Sequence, residues 1–542
     1  MEKMKETDND ILRLAKPRKK GLWRLIFSRF FVILSLIVLQ IAIVYYMFVR
    51  FSRYLPHLQG LQIAFSIGIV IYLFNSSMDS SAKLTWIILI SVVPVPGAIF
   101  LVFTKGELGY NGFGKRLQAI LRDSDNVIEQ SQDTIKRLGE DDSDVEALHK
   151  YVNRQGSFPV YDDTEVTYFP LGEDKFESLL TELSKAEKYI YLEYFIVEEG
   201  YMWGKILKIL AEKAKAGVDV RVMYDGACEI TTLPHDYTKR MESLGIKCKM
   251  FSPLLPFVST YFNYRDHRKI LVIDGLVAFN GGVNLADEYI NRKEIYGHWK
   301  DTAIMLKGGA AESFALMFLQ MWNVTERGNS LTKEDYCRLI EPPENKRNSL
   351  HSPMNEYKNT NGYVMPYGDS PLDSDKVGEN VYIDILYKAT GYVHIMSPYL
   401  ILDDEMKTAL KFAAERGVDV KIILPGIPDK KVVYGLAKSY YYELIRSGVK
   451  IYEYTPGFVH AKVFVSDDIK GTVGTINLDY RSLYHHFECA TYMYRTNCIM
   501  DMEADFQATL EKCKAVTFDT IRNEKIFYKV VGKVARLAAP LM

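Results

Sequence analysis

The sequence predicts an α/β protein built from two similar halves that share one active site, with membrane-anchoring helices in front. Three observations predict it. The order strand, helix, glycine stop, strand occurs twice, around Lys188–Phe251 and again around Tyr392–Tyr452. Each copy is followed by the pattern His-x-Lys-x4-Asp and then by a glycine and an asparagine: His267, Lys269 and Asp274 with Gly281, Gly282 and Asn284, then His460, Lys462 and Asp467 with Gly474 and Asn477. Such a pattern arises by chance at roughly one start position in ten thousand, so two matching copies point to duplication. Finally, the first hundred residues hold long uncharged runs unlike anything later in the chain.

Taken in order, the chain opens with a basic segment in which Lys16, Arg18, Lys19, Lys20, Arg24 and Arg29 surround Trp23, Leu25, Ile26 and Phe27. It reads either as an interfacial amphipathic stretch or as a basic tail before a membrane span. Phe30–Val49 has no charge over 20 residues, enough for one crossing of a hydrocarbon core about 30 Å thick. Leu61–Phe74 is apolar but short. Leu84–Phe103 is long enough, although Pro94 and Pro96 interrupt it; proline is tolerated in membrane helices whose neighbours satisfy the freed backbone groups. Two or three crossings are expected, hence a multi-pass protein of the cell membrane. With a basic, cytoplasmic N-terminus, two crossings put the catalytic part inside and three put it outside.

Residues 1–106 therefore form the tail and anchor, and 107–340 the first α/β half. The unpatterned, proline- and charge-rich 341–361 is a linker, and 362–542 the second half. In the first half, Lys188–Phe195 alternates as a strand, Gly204–Ala216 has helical spacing, Gly217 stops it, and Val218–Tyr224 is the next strand. Tyr392–Tyr399, Asp403–Glu415 and Gly417–Leu424 repeat that order.

Side chains at i and i+2 of a strand lie on one face. The strands predicted at the motifs would thus present His267 with Lys269, and His460 with Lys462. Asn284 and Asn477 follow glycine turns that can return an amide to the same face. Two facing halves would supply two imidazoles, two ammonium groups and two amides. That set suits phosphodiester chemistry: one imidazole attacks phosphorus, the other protonates the leaving alcohol, and the lysines and asparagines stabilise the phosphoryl oxygens. The lysines supply the charge a metal brings elsewhere, so neither metal nor cofactor is expected. Asp274 and Asp467 complete the catalytic motifs, with a structural role favoured over proton transfer.

The doubled motif resembles that of the phospholipase D superfamily, and His460–Glu488 (HAKVFVSDDIKGTVGTINLDYRSLYHHFE), with the membrane segments, resembles the bacterial cardiolipin synthases. The resemblance implies two phospholipase D-like α/β/α sandwich halves and His267 as nucleophile. It also implies that Asp301 and Glu488 orient the two histidines, and gives Glu193 a site role, against the alternative of a sheet-edge or salt-bridge glutamate. Gly282 stands where relatives often carry serine or threonine, and His486 where many synthases carry asparagine.

The implied reaction is reversible phosphatidyl transfer between two phosphatidylglycerol molecules, giving cardiolipin and glycerol. The alternatives are a phospholipase D-type hydrolase, a transferase to another alcohol, and a catalytically silent membrane scaffold. The net charge of −1 gives no electrostatic reason to expect a nucleic-acid partner. The six cysteines have no CxxC spacing, which speaks against a zinc site or a disulfide framework.

Overall fold

In the computed structural model the described residues are 11–15, scattered helical positions between 42 and 50, and 59–541. Within the last range 77, 93, 106–109, 253–263, 327–330, 347–361 and 374 are excepted. Most of Phe30–Val49 and of the linker lies outside them.

Each half is organised on one mixed sheet. The first uses β1 (Thr164–Phe169), β2 (Tyr189–Tyr194), β3 (Asp219–Asp225), β4 (Lys247–Phe251), β6 (Lys269–Ile273), β7 (Val277–Gly281) and β9 (Ala303–Gly308). The two-residue β5 (Arg265–Asp266) precedes β6, and β8 (His298–Lys300) precedes β9. The second half uses β10 (Tyr363–Asp369), β11 (Tyr392–Met396), β12 (Asp419–Pro425), β13 (Lys450–Tyr454), β15 (Val463–Ser466), β16 (Lys470–Gly474), β17 (His486–Tyr494) and β18 (Cys513–Ala515), with β14 (Gly457–Val459) before β15. The strand orders are β1-β9-β7-β6-β2-β3-β4 and β10-β17-β16-β15-β11-β12-β13-β18. Apart from β18 they are the same, so the duplication read from the sequence is a duplication of topology.

Strand β2 is apolar throughout except for Glu193, and all six of its residues are buried. It runs parallel to β3 and antiparallel to β6, and near-continuous hydrophobic runs are what a strand covered on both faces requires. Its outer face (Ile190, Leu192) joins Leu179, Trp203 and Leu207 of the helices Gly172–Ser184 and Tyr201–Lys215. Its inner face (Tyr189, Tyr191) joins the helix Ala310–Val324 and reaches Val463, Val465 and Met493 of the other half. This shared middle layer fixes the halves against each other.

The chain does not divide where sequence reading divides it. The helices Gln132–Asp141 and Ser143–Gly156, counted with the first half, place Leu138, Val145, Leu148 and Val152 in the core of the second half beside Tyr382, Ile385 and Leu386. Tyr161 then bridges to Val364 of β10.

The expected long span Leu84–Phe103 is also corrected. It is two helices, Ser80–Val92 and Pro94–Lys105. They fold back on each other: the Trp86 and Phe100 rings lie 5.4 Å apart, and Ile90 packs with Leu101. Proline lacks the N–H that would continue the helix. Among the described residues no helix is long and apolar enough to cross a membrane.

Candidate active site

Both motif histidines lie just before a strand rather than on one. His267 is in the extended link between β5 and β6, and His460 in that between β14 and β15. The expected i, i+2 relation survives, because the link is extended: Lys269 Nζ donates to the His267 carbonyl and Lys462 Nζ to that of His460. All four side chains are buried.

The short strands preceding the motifs belong to the opposite half. β5 pairs with β17, in register Arg265–His486 and Asp266–Phe487. β14 pairs with β8, in register Gly457–His298 and Val459–Lys300. The ladders continue into the motifs: His267 N–H donates to the Phe487 carbonyl at 3.0 Å, and His460 N–H to that of Lys300 at 2.7 Å. The residue that follows each accepting carbonyl is a carboxylate. Glu488 therefore faces His267, with Nδ1 at 2.9 and 3.0 Å from its two oxygens, and Asp301 faces His460 at 2.7 Å from Nδ1. Each histidine is oriented by the carboxylate of the other half.

The carboxylates favour a proton on each Nδ1; at His460 that atom also lies 2.9 Å from Lys462 Nζ. Burial holds the His267 pKa well below its ordinary value, and brings that of His460 down to about 4, helped by the Lys462 charge. Both imidazoles are neutral at pH 7. With Nδ1–H donating to the carboxylate, Nε2 keeps a lone pair. Burial raises the Glu488 and Asp301 carboxyls, but the hydrogen bonds they accept from the facing histidines, with the Lys462 charge beside Asp301, outweigh it and both end lowered. Burial also depresses the lysines, Lys269 to about 8 and Lys462 to about 7. Lys269 feels Asp301 as well as Glu488, and Lys462 feels Glu488 as well as Asp301, so the two motifs form one electrostatic unit.

The motif aspartates turn away from this unit. Asp274 accepts the backbone N–H groups of Glu187, Lys188 and Tyr189 at 2.7–2.9 Å. Asp467 accepts those of Thr390, Gly391 and Tyr392 at 2.7–2.9 Å. Both sit in the left-handed region, at φ 54° and 55°. Each clamps the loop entering the neighbouring strand, which corrects their grouping with the catalytic residues.

Glu193 is likewise on the wrong face. It lies opposite Ile270 in the β2–β6 register, whereas Tyr194 lies opposite Lys269. It is fully buried and 2.5 Å from Arg268, the residue between His267 and Lys269. It thus meets its salt-bridge alternative and supports the motif from behind.

Asn284 takes the Ile196 N–H on its oxygen and donates to the Tyr289 hydroxyl at 2.8 Å. Asn477 Nδ2 lies 3.3 Å from Asp479. An amide nitrogen carries two hydrogens, so each retains one to offer to a phosphoryl oxygen.

Sequence reasoning missed four residues: Thr475, Lys175, Tyr382 and Tyr289. Thr475 donates its hydroxyl to Glu488. A side chain at the equivalent Gly282 is excluded, because a Cβ there would stand 2.0 Å from Asp301 Oδ1 and 3.0 Å from the His460 carbonyl. Lys175, fully buried, donates to the Val283 carbonyl and the Tyr194 hydroxyl at 3.2 Å and has its pKa brought down to about 7 by burial. In the second half Tyr382 plays the same part, donating to the Ile476 carbonyl at 3.0 Å. The signal was a lysine at a helical position otherwise facing the core. Tyr289 packs edge-on to His460 at 5.5 Å. His486 lines the site 5.4 Å from His267, and with Glu488 these histidines have donor atoms within 4.8 Å of one another. In that grouping Glu488 accepts from His267 and Thr475.

The family model for the cardiolipin synthase, phospholipase D-like domain matches residues 179–322 and 382–510, one match in each half. A cardiolipin synthase of Alkalihalophilus pseudofirmus is 32% identical over 478 residues, 88% of this chain and 92% of that protein. The chain belongs to the cardiolipin synthase family of the phospholipase D superfamily. As a member it is a phosphatidyltransferase. An uncharacterised protein of Streptococcus mutans is 56% identical over 480 residues, 88% of this chain and the whole of that one. Among solved structures, phosphatidylserine synthase of Haemophilus influenzae matches 73% of this chain and 97% of its own, with TM-score 0.53 at 15% identity. At that identity the likeness shows the fold alone.

Proposed function

We propose that this phosphatidyltransferase is a cardiolipin synthase that joins two phosphatidylglycerol molecules through a phosphatidyl–histidine intermediate. The observation that carries the proposal is the crossed pair of neutral imidazoles, each held by a carboxylate of the opposite half and flanked by a lysine. The 32% identical relatives bearing the name cardiolipin synthase support the lipid assignment.

His267 Nε2 attacks the phosphorus of the first phosphatidylglycerol. Its Nδ1–H stays on Glu488, which stabilises the positive charge that develops on the ring. The P–O bond to glycerol breaks, and His460 Nε2–H protonates the departing oxygen. The neutral resting state of His460 means that this proton is taken up from solvent as the substrate binds: a phosphodiester anion beside the ring raises its pKa. Lys269, Lys462 and the remaining N–H of Asn284 and Asn477 bind the phosphoryl oxygens in a buried, low-dielectric site, where such donors act most strongly. The headgroup hydroxyl of a second phosphatidylglycerol then gives its proton to His460 and attacks phosphorus. Cardiolipin forms and His267 is released. Burial of the site limits competition from water.

The test is product analysis of the purified enzyme given phosphatidylglycerol alone. Cardiolipin and glycerol in equal amounts, lost in both His267→Ala and His460→Ala, are expected, with no loss on adding a chelator. Phosphatidic acid in place of cardiolipin would instead identify a hydrolase. No lipid product, where an authentic synthase is active, would leave a silent scaffold.

A further inference from the structure

The last helix, Ile526–Ala538, presents three distinct faces. One is packed: half-buried Tyr528 and buried Gly532 and Ala535 turn towards the helix Lys431–Arg446. The contact is close enough that a Cβ at Gly532 would stand 2.2 Å from the Gly435 carbonyl. The second face is apolar and open. Ile526, Phe527, Val530, Val534 and Leu537 are between 51% and 74% exposed, although they fall on one stripe at 3.6 residues per turn. The third is basic: Lys525 at the N-cap and Lys529 and Lys533 on the helix recur every four residues along one flank of the stripe, Lys529 Nζ donating to the Arg522 carbonyl at 2.6 Å. The helix carries no acidic residue. A monomeric protein rarely leaves so continuous an apolar surface in water.

The surroundings indicate what covers it. Just past the helix, the Pro540 carbonyl accepts from His485, the residue before the site residue His486. The Leu537 carbonyl accepts from Thr85 at 2.8 Å, in the apolar helical hairpin Ser80–Lys105. Tyr480, which follows the Asn477 turn, bonds Ser81 of the same hairpin. The open stripe thus continues onto the exposed apolar side chains of that hairpin, Leu84, Ile88 and Val92, and ends against the wall of the active site.

We propose that Ile526–Ala538 is an interfacial membrane helix. Its apolar stripe is buried among acyl chains, and its lysine flank lies on the phosphates of anionic lipid headgroups, holding the mouth of the active site at headgroup depth. An apolar face flanked by lysines is the pattern that binds in the plane of an anionic bilayer, with strength set by apolar area and surface charge together. The surface is separate from the catalytic unit, and the proposal does not depend on which phosphatidyl acceptor the enzyme uses.

The test places an environment-sensitive fluorophore on the full chain. Val530→Cys in a Cys337→Ser, Cys513→Ser background is labelled with a nitrobenzoxadiazole group and reconstituted into vesicles. These are either phosphatidylcholine alone or phosphatidylcholine with phosphatidylglycerol, with or without lipid spin-labelled near the headgroup. Blue-shifted emission quenched by the spin label is expected in phosphatidylglycerol vesicles. At least half of that quenching should disappear in phosphatidylcholine alone and in the Lys525→Glu, Lys529→Glu, Lys533→Glu variant. Circular dichroism of each variant checks that the helix is retained, and a second label at Val534→Cys repeats the reading at another exposed position. Water-like, unquenched emission at both positions in phosphatidylglycerol vesicles would overturn the proposal. So would a blue shift without quenching, since the stripe would then be covered by another protein surface, whether a second copy or the segment Phe30–Val49. Neither readout requires turnover, so failure here is distinct from failure of the catalytic reading.

Discussion

The crossed orientation of the histidines makes a prediction that uncrossed pairing would reverse. Replacing Glu488 by Gln or Asp301 by Asn keeps the shape of each side chain but removes the charge that accepts Nδ1–H at 2.7–3.0 Å. A hydrogen bond to a charged group contributes about 1.5–3 kcal/mol, and each 1.36 kcal/mol is tenfold in rate. Each substitution should therefore slow its own step by about 10- to 150-fold. The steps can be told apart with a phosphatidyl ester of p-nitrophenol, whose departure needs no proton. In stopped flow, the burst of p-nitrophenol reports nucleophilic attack and the following steady state reports acceptor activation. With His267 as nucleophile, Glu488→Gln and His267→Ala should both suppress the burst. Asp301→Asn and His460→Ala should both spare the burst and slow the steady state. The grouping is the test, and it holds whichever histidine attacks: Glu488 must behave with His267, and Asp301 with His460. If Asp301→Asn instead tracked His267→Ala, the reasoning from the inter-half strand ladders would be refuted.

Further predictions concern the supports of the site. Asp274→Ala and Asp467→Ala each strand three backbone N–H groups, and should destabilise the fold by about 2–4 kcal/mol. That would appear as a lower thermal midpoint in detergent, with turnover per folded molecule little changed. Gly282→Ala pushes a methyl into Asp301 and the His460 carbonyl, and should cost about tenfold or more in turnover; Thr475→Ser, which keeps the hydroxyl on Glu488, should cost far less. In the empty site His460 titrates at about 4 and Lys462 at about 7, both depressed, and a bound anion raises both. At pH 7 a phosphonate analogue of the substrate should therefore bind with uptake of about 0.5–1.5 protons, read from calorimetry in buffers of different ionisation heat. The uptake should shrink as pH falls towards about 4, where the groups already hold their protons, and proton release at pH 7 would contradict the assignment. Lys175→Met should loosen the Val283–Asn284 turn and raise KM more than it lowers kcat, because it supports a phosphate donor rather than a reacting atom.

Local rules determined much of this protein. Period-two apolar runs, glycine stops and the twofold motif were enough to read two α/β halves, and the i, i+2 rule placed each lysine beside its histidine. The interrupted run around Pro94 and Pro96 was visible too, but whether the chain passes on or turns back depends on what packs against it, and Trp86 meeting Phe100 decided for the hairpin. The side of the sheet taken by Glu193 follows from its register with Ile270, which only pairing defines. The same holds for the helices at 132–156, whose apolar faces fit either half until packing assigns them to the second. The placement of Asp301 and Glu488 after their own motifs says nothing of which histidine each serves. That was settled by β5 on β17 and β14 on β8, because a backbone ladder between halves carries the carboxylate of one to the imidazole of the other. Sequence is read along the chain and so reports what neighbours along the chain do. The reactive pairs are neighbours only across the interface, 221 residues apart for His267 and Glu488 and 159 for His460 and Asp301, where hydrophobic burial and strand pairing bring them together.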